Sequence, residues 1–115
     1  MKIEEILHLT EGRVVAGNPD SVQDVDLVFA SDLMSDVLTI KNAEDLLLMT
    51  GLCNLQTIRT CEMAEIRIVL FVRGKKATDE MKELAEENDM LLIETEYSLY
   101  RCSGILYQSG LKALY

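Results

Sequence analysis

The spacing of apolar positions changes period along the chain, and the change separates helices from strands. In residues 2–11, Ile3, Ile6, Leu7 and Thr10 recur at helical spacing, and Gly12 stands where a C-cap belongs, so a short amphipathic helix is expected. The β-branched run at 13–16 closes in Gly17, Asn18, Pro19 and Asp20, the residues of a turn, and predicts a short strand, at an edge of the sheet. Residues 45–50 are continuously apolar after Asp45 and are stopped by Gly51, which predicts a buried parallel strand. Residues 54–64 put Leu55, Ile58, Cys61 and Met63 on an imperfect apolar face, with Arg59 and Glu62 toward solvent, as a crossover helix would. Residues 66–72, Ile-Arg-Ile-Val-Leu-Phe-Val, persist rather than alternate, which marks a central strand covered on both faces with Arg67 at the edge of the cover.

Thr78 is a fitting N-cap for a helix reaching about Asn88, with Met81, Leu84 and Ala85 inward and Glu80, Glu83, Glu86 and Glu87 outward. Residues 90–95 form a third strand and 98–114 a final helix. That helix carries two apolar stripes, one through Leu99, Cys102 and Leu106 and one through Tyr100, Tyr107, Leu111 and Leu114. One stripe suffices for docking on a sheet; the second is either a subunit interface or the flank of one wide core-facing stripe. A polar connection at 42–44 leads into this repeat. Alternating strands and helices from residue 45 onward imply right-handed crossovers, hence an α/β fold, three-layer-like, with a mostly parallel sheet and flanking helices.

Between the apolar run at 26–30 and this repeat, Ser31-Asp32 recurs as Ser35-Asp36 four residues later. On a helix both carboxylates would share one face, with Leu33 and Val37 on the next. Two functions fit: an N-cap by Ser31 or Asp32 with a solvated Asp36, or a secondary polar site of Ser31, Asp32, Ser35 and Asp36 facing a ligand or metal. The first is favoured, because no histidine or third carboxylate accompanies the pair.

Composition narrows the function. The chain has 115 residues and is 49% apolar, enough for one domain, 1–115, with a core of its own. Its 20 acidic against 11 basic residues give a net charge of -9, which opposes binding to nucleic acid or to anionic membranes. The start of the chain has Lys2, Glu4 and Glu5 and no secretory pattern, and no apolar run nears the roughly 20 residues of a membrane span. Cys53, Cys61 and Cys102 form no C-x-x-C pair and His8 is the only histidine, so neither a zinc site nor a Ser-His-Asp constellation is expected. Three unpaired thiols suit the cytoplasm, with Cys61 and Cys102 as small core residues and Cys53 lacking a neighbouring histidine base. No phosphate-binding G-x-x-x-x-G-K-[ST] or dinucleotide G-x-G-x-x-G occurs. No catalytic residue, metal or cofactor is therefore assigned.

A parallel sheet binds ligands outside the carboxyl ends of its strands. Here those ends are Thr50-Gly51 with the nearby Asn54, then Arg73-Gly74-Lys75-Lys76, then Thr95 to Ser98. The second places three basic residues beside a helix N-terminus, a positive spot on an acidic protein and a candidate seat for phosphate or carboxylate. The candidate ligand-binding residues are Thr50, Gly51, Asn54, Arg73, Gly74, Lys75, Lys76, Thr95 and Ser98. The alternative is a solvated turn with exposed cations.

In this order of elements the chain resembles the DRTGG domain family. The residues that carry the likeness are S-D-L-M-S-D-V-L at 31–38, similar to the family's segment after its second strand, D-L-L-L-M-T-G at 45–51, similar to its G-D-L-V-I-T-x-G, and a strand ending at Arg73-Gly74 in the place of its terminal T-G-G. The family's Asp-Arg pair would follow Gly51, where this chain has Leu52 and Cys53, and of the T-G-G only Gly74 is kept. The resemblance implies the fold of the N-terminal domain of HPr kinase and of the DRTGG modules in CBS-containing pyrophosphatases and phosphotransacetylases. It implies regulation and subunit pairing rather than catalysis.

The expectation is a non-catalytic regulatory or sensing domain, homodimeric or higher through Tyr100, Tyr107, Leu111 and Leu114, binding a nucleotide or phosphorylated metabolite at the strand ends. The first alternative is a protein-interaction adaptor recognised by its acidic surface. The second is a metal-dependent phosphoryl-transfer enzyme using Asp32 and Asp36.

Overall fold

The computed structural model describes residues 1–42 and 44–115; the predicted connection at 42–44 lies in part outside the described residues. The elements run α1 (Ile3–Thr10), β1 (Arg13–Ala16), a 3-10 turn (Pro19–Ser21), β2 (Leu27–Ala30), α2 (Met34–Val37), β3 (Leu46–Thr50), α3 (Leu55–Met63), β4 (Ile68–Phe71), α4 (Asp79–Glu87), β5 (Leu91–Glu94), α5 (Leu99–Gln108) and β6 (Lys112–Ala113). The strands form one sheet in the order β1-β5-β4-β3-β2-β6, parallel throughout except for β1, which pairs antiparallel with β5 at the edge. The parallel unit therefore begins one strand earlier than residue 45 and ends one strand later than residue 95.

The central strands β3, β4 and β5 are buried at every position because helices cover both faces. Leu46 and Leu48 of β3, Val69 and Phe71 of β4 and Leu92 of β5 join Ile58 and Cys61 of α3 and Met81 and Ala85 of α4 in one core. The alternate residues Leu47, Met49, Ile68, Leu70, Leu91 and Ile93 meet Ile3 and Ile6 of α1 and Cys102 and Leu106 of α5 in a second core. Period-two side-chain alternation thus feeds two cores from one apolar run.

Parallel crossovers keep one hand. The steps β2 to β3, β3 to β4 and β4 to β5 advance in one direction and put α2, α3 and α4 on one face; the return from β5 to β6 must carry α5 across the other, where it packs on α1.

Several expectations change. The last helix ends at Gln108, well short of 114, and Gly110, at φ 108°, turns the chain back so that Lys112 and Ala113 pair with Leu27 and Val28. Leu111 and Leu114 are consequently not on a helical stripe: Leu111 is buried and Leu114 half-buried in the turn back to the sheet. Glu11, not Gly12, takes the left-handed C-cap of α1; Gly12 lies under β5, where a Cβ would stand 2.8 Å from Ile93 Cγ2. In α2 the buried residues are Met34 and Val37, and Leu33 is exposed. In α3 Thr57 and Thr60 take the inner face with Ile58 and Cys61, while Met63 is exposed.

Candidate functional site

The loops leaving β4 and β5 diverge to opposite faces of the sheet, β4 toward α4 and β5 toward α5. This divergence makes the β4/β5 fork the topological switch point, the place where open parallel sheets hold ligands. Arg73, Gly74, Lys75 and Lys76 lie on one side of the fork and Thr95, Glu96, Tyr97 and Ser98 on the other. The fork is laced by the backbone: Arg73 N–H donates to Tyr97 O at 2.7 Å and Gly74 N–H to Thr95 O at 2.9 Å. Arg73 at φ 59° and Gly74 at φ 72° turn the chain sharply away from the strand.

The candidate residues divide by what their side chains already do. Thr50 Oγ1 donates to Asp32 Oδ1 at 2.9 Å and accepts Leu52 N–H at 3.0 Å. Thr95 Oγ1 donates to Thr10 O at 2.6 Å and accepts Tyr97 N–H at 3.1 Å. Asn54 caps α3 by accepting Thr57 N–H at 2.9 Å, and Ser98 caps α5 by accepting Arg101 N–H at 3.1 Å. These four polar side chains hold strand ends and helix starts in place. Arg73 and Lys76 are exposed and Lys75 half-buried, and these cations are what the rim offers an anion.

Three residues of the rim were not anticipated. Glu94, at the end of β5, has a side chain only 4% exposed; its Oε2 accepts Ala77 N–H at 2.7 Å, just before α4, and its Oε1 faces Arg13 at 3.2 Å and Lys76 at 3.9 Å. Glu96 is 69% exposed, with Oε1 at 3.0 Å from Lys76 Nζ and 4.0 Å from Arg13 Nη2. Arg13 reaches the rim from β1, the antiparallel edge strand. The available signal was a carboxylate inside the apolar run Leu91-Leu92-Ile93-Glu94, a position that demands a donor.

The Ser31/Asp32 pair is brought to the same edge of the sheet. Asp32 is not in a helix: it precedes α2, and its Oδ1 accepts Gly51 N–H at 2.7 Å as well as the Thr50 hydroxyl. Ser31 Oγ accepts Leu33 N–H at 3.0 Å, and neither Ser31 nor Asp32 is the N-cap of α2, which is Leu33 with no side-chain cap. The shared helical face expected for Asp32 and Asp36 does not form, because only Ser35 and Asp36 lie within the turn. Among the described residues no group of three or more His, Cys, Asp or Glu is placed to hold a metal ion.

Cys53 is half-buried near the rim, and burial first, then the Glu94 charge, push its thiol up to about 11, with Lys75 acting the other way. Burial alone pushes Cys61 up to about 12. At neutral pH both are thiols, which makes them poor nucleophiles. Among the described residues no helix is long and apolar enough to cross a membrane.

The second candidate surface is an apolar groove of about 500 Å³ between α5, β2 and β6, lined by Phe29, Met49, Tyr107, Leu111, Leu114 and Tyr115 among others. Tyr107 is 73% and Tyr115 83% exposed, and the Tyr115 ring meets Phe29 edge-on at 5.9 Å. Tyr100, 90% exposed, stands nearer the start of α5 and does not line the groove.

No family model and no curated protein matches the chain. Its fold is similar to that of the CBS and DRTGG domains of the regulatory region of Clostridium perfringens pyrophosphatase, whose crystal structure holds the activator diadenosine tetraphosphate; the TM-score is 0.70 at 16% identity. The match covers 94% of this chain and 46% of that one, so the chain spans about half the length of its structural neighbour. The six-stranded, mostly parallel sheet with flanking helices is thus a DRTGG-like fold.

Proposed function

We propose that the chain is a non-catalytic regulatory or sensing module that binds a small anion, a nucleotide or phosphorylated metabolite, at the β4/β5 fork and pairs with a second copy of itself. The observation that carries the ligand reading is the concentration of Arg13, Arg73, Lys75 and Lys76 around the β4/β5 strand ends, on a protein of net charge -9. It is supported by the neighbour of like fold, which comes from a regulatory region crystallised with a nucleotide activator. Thermal shift with nucleoside polyphosphates, diadenosine tetraphosphate and sugar phosphates tests it. A ligand at 100 times its Kd stabilises by about 2.7 kcal/mol. That gain should vanish in Arg73→Ala/Lys75→Ala, and silence of the wild type across the set refutes the site.

Self-pairing is supported by the apolar groove. A net charge of -9 makes two copies repel unless they meet on a face free of carboxylates. The residues lining the groove include Lys112 and no acidic residue. Tyr107→Glu should then convert a dimer seen in sedimentation velocity to a monomer, and a wild type that stays monomeric across the micromolar range refutes pairing. The interface of this proposal rests on Tyr107 and Tyr115, with Leu111 as buried support.

The adaptor reading keeps one observation in its favour, the exposed run of Glu80, Glu83, Glu86 and Glu87 along α4. A partner captured at low salt, lost at high salt and lost with charge reversal on α4, combined with no small-molecule response, would establish it instead. Phosphoryl transfer by Asp32 and Asp36 loses its basis, since Asp32 is engaged with Thr50 and Gly51 and the two carboxylates do not share a helix.

A further inference from the structure

The fork already contains anions, and they are the protein's own. Glu94 is fixed: buried, bonded to Ala77 N–H and flanked by Arg13 and Lys76. Glu96 is held differently. It is 69% exposed, makes its short contact to the flexible Lys76 ammonium, and lies against Gly74 so closely that a Cβ there would stand 2.6 Å from Glu96 Oε2. The space that Gly74 leaves by lacking a side chain is thus filled by a carboxylate at the end of a movable chain. Exposed ion pairs of this kind contribute little, so a ligand displaces one at little cost.

We infer that Glu96 is a built-in competitor: its carboxylate occupies, on Lys76 and over Gly74, the position that an anionic group of the ligand takes, and binding exchanges one for the other. This rests on the reading of the fork as an anion site. A monoanion offers Lys76 no more than Glu96 does, so the exchange selects polyanionic ligands, whose additional charges also engage Arg73, Lys75 or Arg13. Glu96 is on this account a specificity-determining residue that keeps the fork closed to abundant monoanions such as chloride and acetate.

The test is calorimetric titration of inorganic tripolyphosphate into the wild type, Glu96→Gln, Glu96→Gln/Lys76→Ala and Glu87→Gln. Glu87 lies at the far end of α4, more than a turn of helix from the rim, and its change alters net charge as Glu96→Gln does. Glu96→Gln should bind the probe about tenfold tighter than the wild type, a gain abolished by adding Lys76→Ala and absent from Glu87→Gln. Binding by the wild type that Glu96→Gln leaves equal or weakens overturns the competitor while the anion site stands. Equal gains in Glu96→Gln and Glu87→Gln overturn it as well, since net charge alone would account for them. Silence of both wild type and Glu96→Gln at millimolar probe overturns the competitor and the anion site together.

Discussion

The carboxylate of Glu94 accepts the Ala77 N–H at 2.7 Å, tying the end of β5 to the entrance of α4 on the neighbouring crossover. The bond joins residues 17 apart in sequence and is charge-assisted in a buried setting, where such contacts contribute about 1.5–3 kcal/mol. Glu94→Ala leaves Ala77 N–H unpaired and Arg13 without its nearest partner, and should lower the urea-unfolding free energy by that amount. Glu94→Gln keeps an acceptor and should cost about half. Equal stability of all three proteins would show that the bond is replaced by water.

Asp32 plays the corresponding part at the β2/β3 ends, with Thr50 and Gly51 as donors. Asp32→Ala should destabilise by about 1–2 kcal/mol, and Asp32→Asn, which retains an oxygen acceptor, by less. Magnesium added in excess should leave the unfolding midpoint of the wild type unchanged. A midpoint that rises with magnesium and stops responding in Asp32→Asn would mean that the carboxylate serves a metal after all.

What the sequence made legible follows from the range of the interactions involved. β3, β4 and β5 were plain because an apolar run between turn residues reflects burial on both faces, and Leu46 to Thr50 is buried at every position. The cap Thr78 was plain because capping is local. Asp32, Arg13 and Glu94 were not, since Asp32 depends on partners 18 and 19 residues away and Arg13 and Glu94 on each other across 81 residues. The end of α5 was overrun because Leu111 and Leu114 continue the helical spacing by coincidence. Gly110 was the local sign that the helix had already stopped.

Two glycines should respond oppositely to the same change. Gly17 follows β1 at φ 87°, and a Cβ there would stand 2.2 Å from the Met90 carbonyl oxygen, a backbone atom that cannot step aside. Gly17→Ala should destabilise by roughly 2–4 kcal/mol, from left-handed strain plus displacement of the β1/β5 edge. Gly104 is inside α5 with nothing within 4 Å of the new Cβ. Gly104→Ala should therefore stabilise by about 0.5–1 kcal/mol, the helix-propensity difference. Thermal unfolding of the two variants checks both signs at once.

The buried Cys61 thiol should make the fold less stable at alkaline pH. Cys61 ionises near 9.0 when unfolded, and burial pushes it up to about 12 in the native protein. Between those values the unfolded chain has released a proton that the native chain still holds, so unfolding gains free energy as pH rises. The stabilising contribution is complete below pH 9 and is lost at up to about 1.4 kcal/mol per pH unit above it. Cys61→Ala, which cannot ionise, should be less stable than the wild type at pH 7 because of the smaller side chain, yet its stability should decline less steeply between pH 9 and 11. Urea unfolding at pH 7, 9, 10 and 11 measures the two slopes, and parallel slopes would mean that the alkaline loss comes from Cys53, Cys102 or the surface rather than from Cys61.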